Sequence, residues 1–225
     1  MAKRSRRKRD GLGPPSRKVK PPPAAPKRRP LALGYAVVGL TAIGVVVAAI
    51  VLATGSTSTR SIAWAKVPDL QRGPAPWSSA SGTLSERLAP AHLHALTMEG
   101  AVVHIHQHLD LFVNGRKIPV PAFIGIGPGG TFLTEIHTHD ASGIVHVESP
   151  TKTPFTLGQM FCEWGVKLTR TCLGRYRGRI SWWVDGKKMS GDPAQLVLAP
   201  HQEIAIAAGR APAHVPVGFT FPPGY

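Results

Sequence analysis

Apolar and polar positions change rhythm three times along this chain. From Leu31 to Ala53 (LALGYAVVGLTAIGVVVAAIVLA) 23 residues pass without a charge or a proline. At about 1.5 Å rise per residue, such a run crosses a hydrocarbon core of roughly 30 Å as one helix. A helix in a soluble core would carry a polar stripe, and only Tyr35 and Thr41 interrupt this one. Residues 54–98 lose the periodicity and are rich in Ser, Thr, Pro and Gly, predicting a spacer. Within it, Thr83-Leu-Ser-Glu86 has capping-box spacing and opens a possible short helix that Pro90 interrupts.

From about residue 99 the period becomes two, the signature of strands. Val103, Ile105, Leu109, Leu111 and Val113 alternate with His104, His106, His108 and Asp110, and Asn114-Gly115 is a hairpin turn. That turn sets Val113 opposite Arg116, Leu111 opposite Ile118 and Leu109 opposite Val120. Pro119 and Pro121 confine the returning strand to an edge or send it into a loop. The glycine-rich link Ile124–Gly130 lacks the Gly-Lys-Ser/Thr of a phosphate loop. A second hairpin, Thr131–His139 and Ile144–Ser149 around Asp140-Ala-Ser-Gly143, sets His137 opposite His146 and Glu135 opposite Glu148. Leu157, Met160, Phe161 and Trp164 then predict one short helix, capped by Thr156 and ended by Gly165. Strands follow over Ile180–Val184 and Glu203–Ala208, with Leu196–Leu198 as a further candidate. The fold class is α+β, a mainly antiparallel sheet built from hairpins with one short helix, preceded by one transmembrane helix. The order loosely resembles a β-grasp domain, a likeness of fold that carries no chemistry.

Composition changes the picture at the N-terminus. Residues 1–30 hold 12 of the 27 Lys/Arg and one of the 12 acids, so most of the net +15 belongs to a proline-rich tail without apolar periodicity. Alone, that tail would suggest nucleic acid. Before an apolar span, Lys27-Arg28-Arg29 instead marks the cytoplasmic side of a membrane anchor. The expected organisation is a disordered basic cytoplasmic tail (1–30), a transmembrane helix in the lipid bilayer (31–53), a spacer (54–98) and an extracytoplasmic domain (99–225). No nucleic-acid partner is expected. A cleaved signal peptide is the alternative, although the run is long for one and Ala-Thr-Gly is a poor cleavage site. Cys162 and Cys172, the only cysteines, would be free to join as a disulfide in an oxidising compartment. Metal ligation by Cys162 is the competing role. Arg170, Arg175, Arg177 and Arg179 form a basic loop, either solvated or meeting headgroups or wall polymers.

The candidate chemistry lies in the alternating histidines. In a strand, His-x-His puts two imidazoles on one side with Cα atoms about 6.5–7 Å apart, close enough to share an ion. A third ligand must come from a neighbouring strand. The ligand candidates are His104, His106, His137, His139 and His146, with His108 and Glu148 next. Asp110, Glu135 and Asp140 are candidates to orient ligating imidazoles through their free N–H. Glu135 or Glu148 would be the base if an open position held water. Imidazole with carboxylate favours Zn or Cu, and calcium would need more oxygen ligands. A solvated polar face is the bland alternative for these histidines; His92, His94, His201 and His214 are read as ordinary. A metal-dependent hydrolase or oxidase and a metal-free envelope scaffold remain the other functional classes.

The strings HIHQHLDLFVNGRKIPVPAFIGIG, HTHDASGIVHVESP and FTLGQMFCEWGV resemble segments of an uncharacterised family of bacterial single-pass membrane proteins, over roughly residues 99–210. That family has no established activity. The resemblance implies an extracytoplasmic metal-binding domain and nothing about a reaction. Cys162 departs from the pattern, which favours a disulfide particular to this chain.

Overall fold

A computed structural model describes residues 61–225 of the chain. The predicted basic tail, the transmembrane run 31–53 and the first residues of the spacer lie outside the described residues. Among those described, no helix is long and apolar enough to cross a membrane.

The period-two segment forms one long strand, β1 (Val103–Val113), on which the domain is organised. The Asn114-Gly115 turn returns it into β2 (Arg116–Ile118) with Val113 opposite Arg116 and Leu111 opposite Ile118, as predicted. The strand stops before Pro119, and the amide of Leu109 donates to Gly143 O (2.9 Å) instead of pairing with Val120. Next come β3 (Ile136–His137) and β4 (Ile144–Ser149), with His137 opposite His146 and Ile136 opposite Val147. β3 is far shorter than the predicted Thr131–His139. The glycine-rich link lies against this segment and takes its hydrogen bonds, Thr134 N to Gly125 O at 2.8 Å and Thr138 N to Ile124 O at 3.0 Å. Gly125 permits that approach. Its φ is +69°, and a Cβ there would sit 2.1 Å from Ile136 O.

Helix α1 (Leu84–Ala91) precedes β1, and α2 (Leu157–Trp164) follows β4. α2 begins and ends where the sequence predicts. Gln159 Oε1 accepts from Thr156 N at 2.9 Å, and Gly165 adopts the left-handed conformation at its end. A small meander, β5 (Leu168–Thr169), β6 (Cys172–Leu173) and β7 (Tyr176–Arg177), occupies the basic loop. β8 (Ile180–Val184), β9 (Lys187–Lys188) and β10 (Glu203–Ala208) complete the main sheet, in the order β3-β4-β1-β10-β8-β9. The candidate Leu196–Leu198 strand contributes one bridge, Thr156 to Val197. The class is α+β, as expected. The sheet is mixed, because β10 runs parallel to β1.

Each face of the sheet buries a different set. Leu109, Leu111, Ile204 and Ile206 face inward with Met160, Phe161 and Trp164 of α2 in the main core. On the other face, Phe112, Trp183, Ala205 and Ala207 form a second cluster under Ala211 and Val215. The histidines of β1 share this second face by alternation.

Residues 61–98 correct the predicted spacer. Ile62, Val67, Trp77, Ala91 and Leu93 are buried in the main core. The segment also supplies partners to the carbonyls at the end of α2, which a helix leaves unpaired. Arg87 Nε donates to Glu163 O (2.8 Å), Gln71 Nε2 to Trp164 O (2.9 Å) and Gln71 N to Gly165 O (2.8 Å). Burial lowers the pKa of the Arg87 guanidinium, and the neighbouring Cys162 and Glu163 act in the opposite direction. Spacer composition concealed this because the apolar anchors are widely separated and follow no period.

The predicted disulfide is absent: Cys162 and Cys172 are both free and buried. Cys162 turns from α2 into the main core, where burial, with the Glu163 carboxylate adding to it, pushes its thiol up to about 12. Cys172 lies opposite Thr169 in the meander and donates to Gly174 O at 3.2 Å. The helix–sheet packing directs one sulfur inward and the meander commits the other.

Trp77 meets the Trp164 ring edge-on at 5.8 Å and is 4% exposed. Trp77→Ala is expected to cost about 3–5 kcal/mol in denaturant unfolding. An unchanged midpoint would make 61–98 a linker after all.

Candidate metal centre

β4 lies between β3 and β1, so it meets both histidine sets. Its register with β1 sets His106 opposite His146 and His104 opposite Glu148, and its register with β3 sets His137 opposite His146. Directly opposed side chains in adjacent strands stand about 4.5–5.5 Å apart at Cβ. The rings follow suit: His106–His146 centroids are 4.6 Å apart and His137–His146 5.3 Å. His139 follows β3 and reaches back to 4.5 Å from His146 and 4.8 Å from His137.

Glu148 lies among these rings. Its Oε1 is 3.1 Å from His146 Nδ1 and 3.3 Å from His104 Nε2, and its Oε2 is 3.8 Å from His137 Nε2. Burial acts to raise the Glu148 carboxyl. The His146 hydrogen bond, together with the imidazoles of His137, His104 and His146, outweighs it and holds the pKa below the usual value. The group is therefore a carboxylate at neutral pH, and His146 Nδ1 donates to it. That leaves Nε2 of His146 as the nitrogen with a free lone pair.

His137 is fixed from behind. Its Nδ1 lies 3.0 Å from Thr134 O, and a carbonyl only accepts, so Nδ1 carries the proton and Nε2 a lone pair. Burial lowers the pKa of this ring to about 4, against the opposing pull of the Thr134 hydrogen bond and the Glu148 charge. The same cause, reinforced by the neighbouring His146 and His104, lowers His106 to about 4. Both rings are neutral at pH 7. His137 Nε2 and Glu148 Oε2 are buried with no hydrogen-bond partner, facing each other across 3.8 Å. Two lone pairs in that position repel, and buried polar atoms left unpaired cost free energy. A cation between them removes both penalties. Around a tetrahedral ion with bonds near 2.0–2.1 Å the ligand atoms stand about 3.3–3.4 Å apart, so a closure of about half an ångström suffices.

Donor atoms of His137, His139, His146 and Glu148 lie within 4.8 Å of one another, as do those of His104, His106 and Glu148. These groups, buried except for the exposed His104 and His139, could hold a metal ion. His108 is not with them. Its Nδ1 is 2.8 Å from Glu203 Oε2 and its Nε2 3.0 Å from Ser142 O, and its ring stacks on Phe219 at 3.9 Å. Although His108, Asp110 and Glu203 also cluster, both ring nitrogens of His108 are already engaged. The three acids expected to orient imidazoles of the site act elsewhere. Asp110 pairs with Lys117 at 2.5 Å. Glu135 takes His94 N (2.9 Å) and His94 Nδ1 (2.7 Å), although its backbone stands opposite Glu148 as predicted. Asp140 accepts from Ser142 N at 2.8 Å in the turn, and Ser142 holds its pKa below the usual carboxylate value.

Sequence reasoning missed three participants. Thr134 orients His137 through a backbone carbonyl, which leaves no trace in residue type. Glu99, 3.6 Å from His139, sits at the first residue of the predicted domain, ahead of β1 and outside the histidine pattern. Tyr225 lies 4.7 Å from His106 and 5.4 Å from His146 between centroids, brought there by the path of residues 209–225. The chain matches no protein-family model, and neither the curated proteins nor the solved structures give a match.

His106 and His137 each have a folded pKa near 4 against an ordinary 6.5. The unfolded chain therefore binds more protons between those values, and stability falls as pH drops from about 6.5 to 4. Glu148, with a lowered pKa, adds a loss of the same sign further into acid. The melting temperature of the metal-free protein is expected to fall by at least about 5 °C from pH 7 to pH 5. His137→Gln makes the fall shallower. A flat profile in the unaltered protein would mean these rings titrate normally.

Proposed function

We propose that the protein is a membrane-anchored, extracytoplasmic metal-binding protein that takes Zn or Cu through the histidines around Glu148. The carrying observation is the facing pair of buried, unpartnered atoms, His137 Nε2 and Glu148 Oε2. His139 and His146 complete a four-donor set around them. Imidazole nitrogen with carboxylate oxygen and no thiolate suits these two ions. Metal handling or sensing is the proposed role. The anchor is supported by the apolar run 31–53 behind Lys27-Arg28-Arg29, and by the resemblance to single-pass bacterial membrane proteins. The parallel pairing of β1 with β10 and the helix on one face agree with the β-grasp likeness.

A second reading, a metal-dependent enzyme, draws on one observation. A groove of about 380 Å³ opens beside His104 and His106, walled by Pro200, His201 and Tyr225. An ion with an open coordination position there would activate water against a bound substrate. Slow exchange of solvent at a bound paramagnetic ion would count against it.

The purified metal-free chain, challenged with Zn²⁺ or Cu²⁺ and desalted, is expected to retain at least a stoichiometric ion. His137→Ala should weaken retention on the order of 100-fold. His108→Asn should retain the ion, because the nitrogens of His108 serve Glu203 and Ser142. No retained zinc or copper would overturn the proposal.

A further inference from the structure

The six donors that converge here are more than one tetrahedral ion uses, and they divide naturally in two. His137, His139 and His146 gather on one side of Glu148, and His104 and His106 on the other; the two groups share only that carboxylate. Its oxygens are divided in the same way. Oε2 faces His137, while Oε1 faces His104 and also receives the hydrogen bond from His146. Each carboxylate oxygen has a second lone pair beyond any hydrogen bond it accepts. The rings form a continuous chain across the three strands, His104–His106 at 4.9 Å, His106–His146 at 4.6 Å and His146–His139 at 4.5 Å.

Resting on the metal-binding function above, we propose that Glu148 bridges two divalent ions. The inner position uses His137, His139, His146 and Oε2. The outer position uses His104, His106 and Oε1. Paired metal ions in proteins sit about 3.5–4 Å apart, a span that one carboxylate bridges. The two positions differ in character. Buried His137 and His146 enclose the inner ion, with His139 on its solvent side. At the outer position the His104 side chain is 55% exposed, and the groove of about 380 Å³ lined by His104, His106, His201 and Tyr225 adjoins it. Three protein donors leave that ion with coordination sites for solvent or a ligand entering from the groove. Charge sets the order of filling. Two dications against one bridging carboxylate leave an excess of about three positive charges in a partly buried site. The outer ion therefore binds more weakly and brings a hydroxide or another anionic oxygen donor with it.

Copper titration of the purified full-length chain tests this, with bound ions counted by metal analysis and the Cu²⁺ signal followed by electron paramagnetic resonance. The first equivalent should give an isolated Cu²⁺ spectrum. The second should bind at least about tenfold more weakly and attenuate or broaden that signal rather than double it, because ions this close couple magnetically. His104→Ala changes an exposed side chain, and should reduce uptake to one uncoupled ion with the first affinity retained. Glu148→Gln should abolish the coupling. Saturation at one ion would overturn the second position and leave the metal-binding function standing. Two ions with additive, unbroadened signals would overturn the bridge. Uptake of none would overturn both proposals.

Discussion

The pairing of β4 with both neighbours is the constraint on which the site depends. One row across the three strands is apolar: Ile136, Val147 and Ile105 lie opposite one another and face the main core. The next row, one residue along, is His137, His146 and His106 on the other face. Side-chain alternation ties the two rows together. A slip of one residue would drive imidazoles into the core and expose isoleucine and valine, so hydrophobic burial holds the imidazoles in register. The histidines need no attraction for one another to be brought together. Their convergence follows from packing on the opposite face, and it survives the mutual penalty of juxtaposed polar rings.

What separates one histidine from another on this face is how its nitrogens are satisfied. His108 continues the same alternation, yet Glu203 and Ser142 O occupy both of its nitrogens, and Phe219 covers the ring. Both contacts are within hydrogen-bond distance, against the 3.8 Å that separates His137 Nε2 from Glu148 Oε2. His137 has one nitrogen committed to Thr134 O and the other pointing at a carboxylate oxygen that offers no proton. Burial excludes the solvent water that would ordinarily settle such a mismatch. Spacing treats the two residues alike, and only the partners that the fold delivers tell them apart.

Local signals were readable wherever adjacent residues decide the structure. The Asn114-Gly115 hairpin register, the opposition of His137 and His146, and α2 with its Thr156–Gln159 start and Gly165 stop all follow from short-range chemistry. Features set by distant residues were not legible. The parallel docking of β10 on β1, which delivers Glu203 to His108, depends on a crossover that includes α2. The place of residues 61–98 in the domain depends on Trp77 meeting Trp164 and on Arg87 reaching a carbonyl of α2. The cysteines erred for the same reason. Their separation in sequence permits a disulfide, but it does not reveal that one faces the helix–sheet core and the other a meander. Likewise Asp110, Glu135 and Asp140 stand near the histidines in sequence, while their partners Lys117, His94 and Ser142 are supplied by turns and chain entry.

The imidazole row also has an energetic consequence for how an ion binds. Folding buries His137 Nε2 and Glu148 Oε2 without partners, and that cost is incurred before any ion arrives. The metal-free fold is destabilised by the arrangement that makes it ready to bind. An arriving cation finds donors carried on strands, with His137 already locked by Thr134, and little ordering entropy remains to be lost. It also relieves the repulsion between the two facing lone pairs, so part of the binding free energy is the recovery of a strain stored during folding. That strain is tolerable only because the opposite face supplies ample apolar burial through Ile136, Val147 and the core above α2. Metal affinity and fold stability are therefore drawn from the same three strands, and a change that loosens the apolar row should weaken the site without touching a ligand.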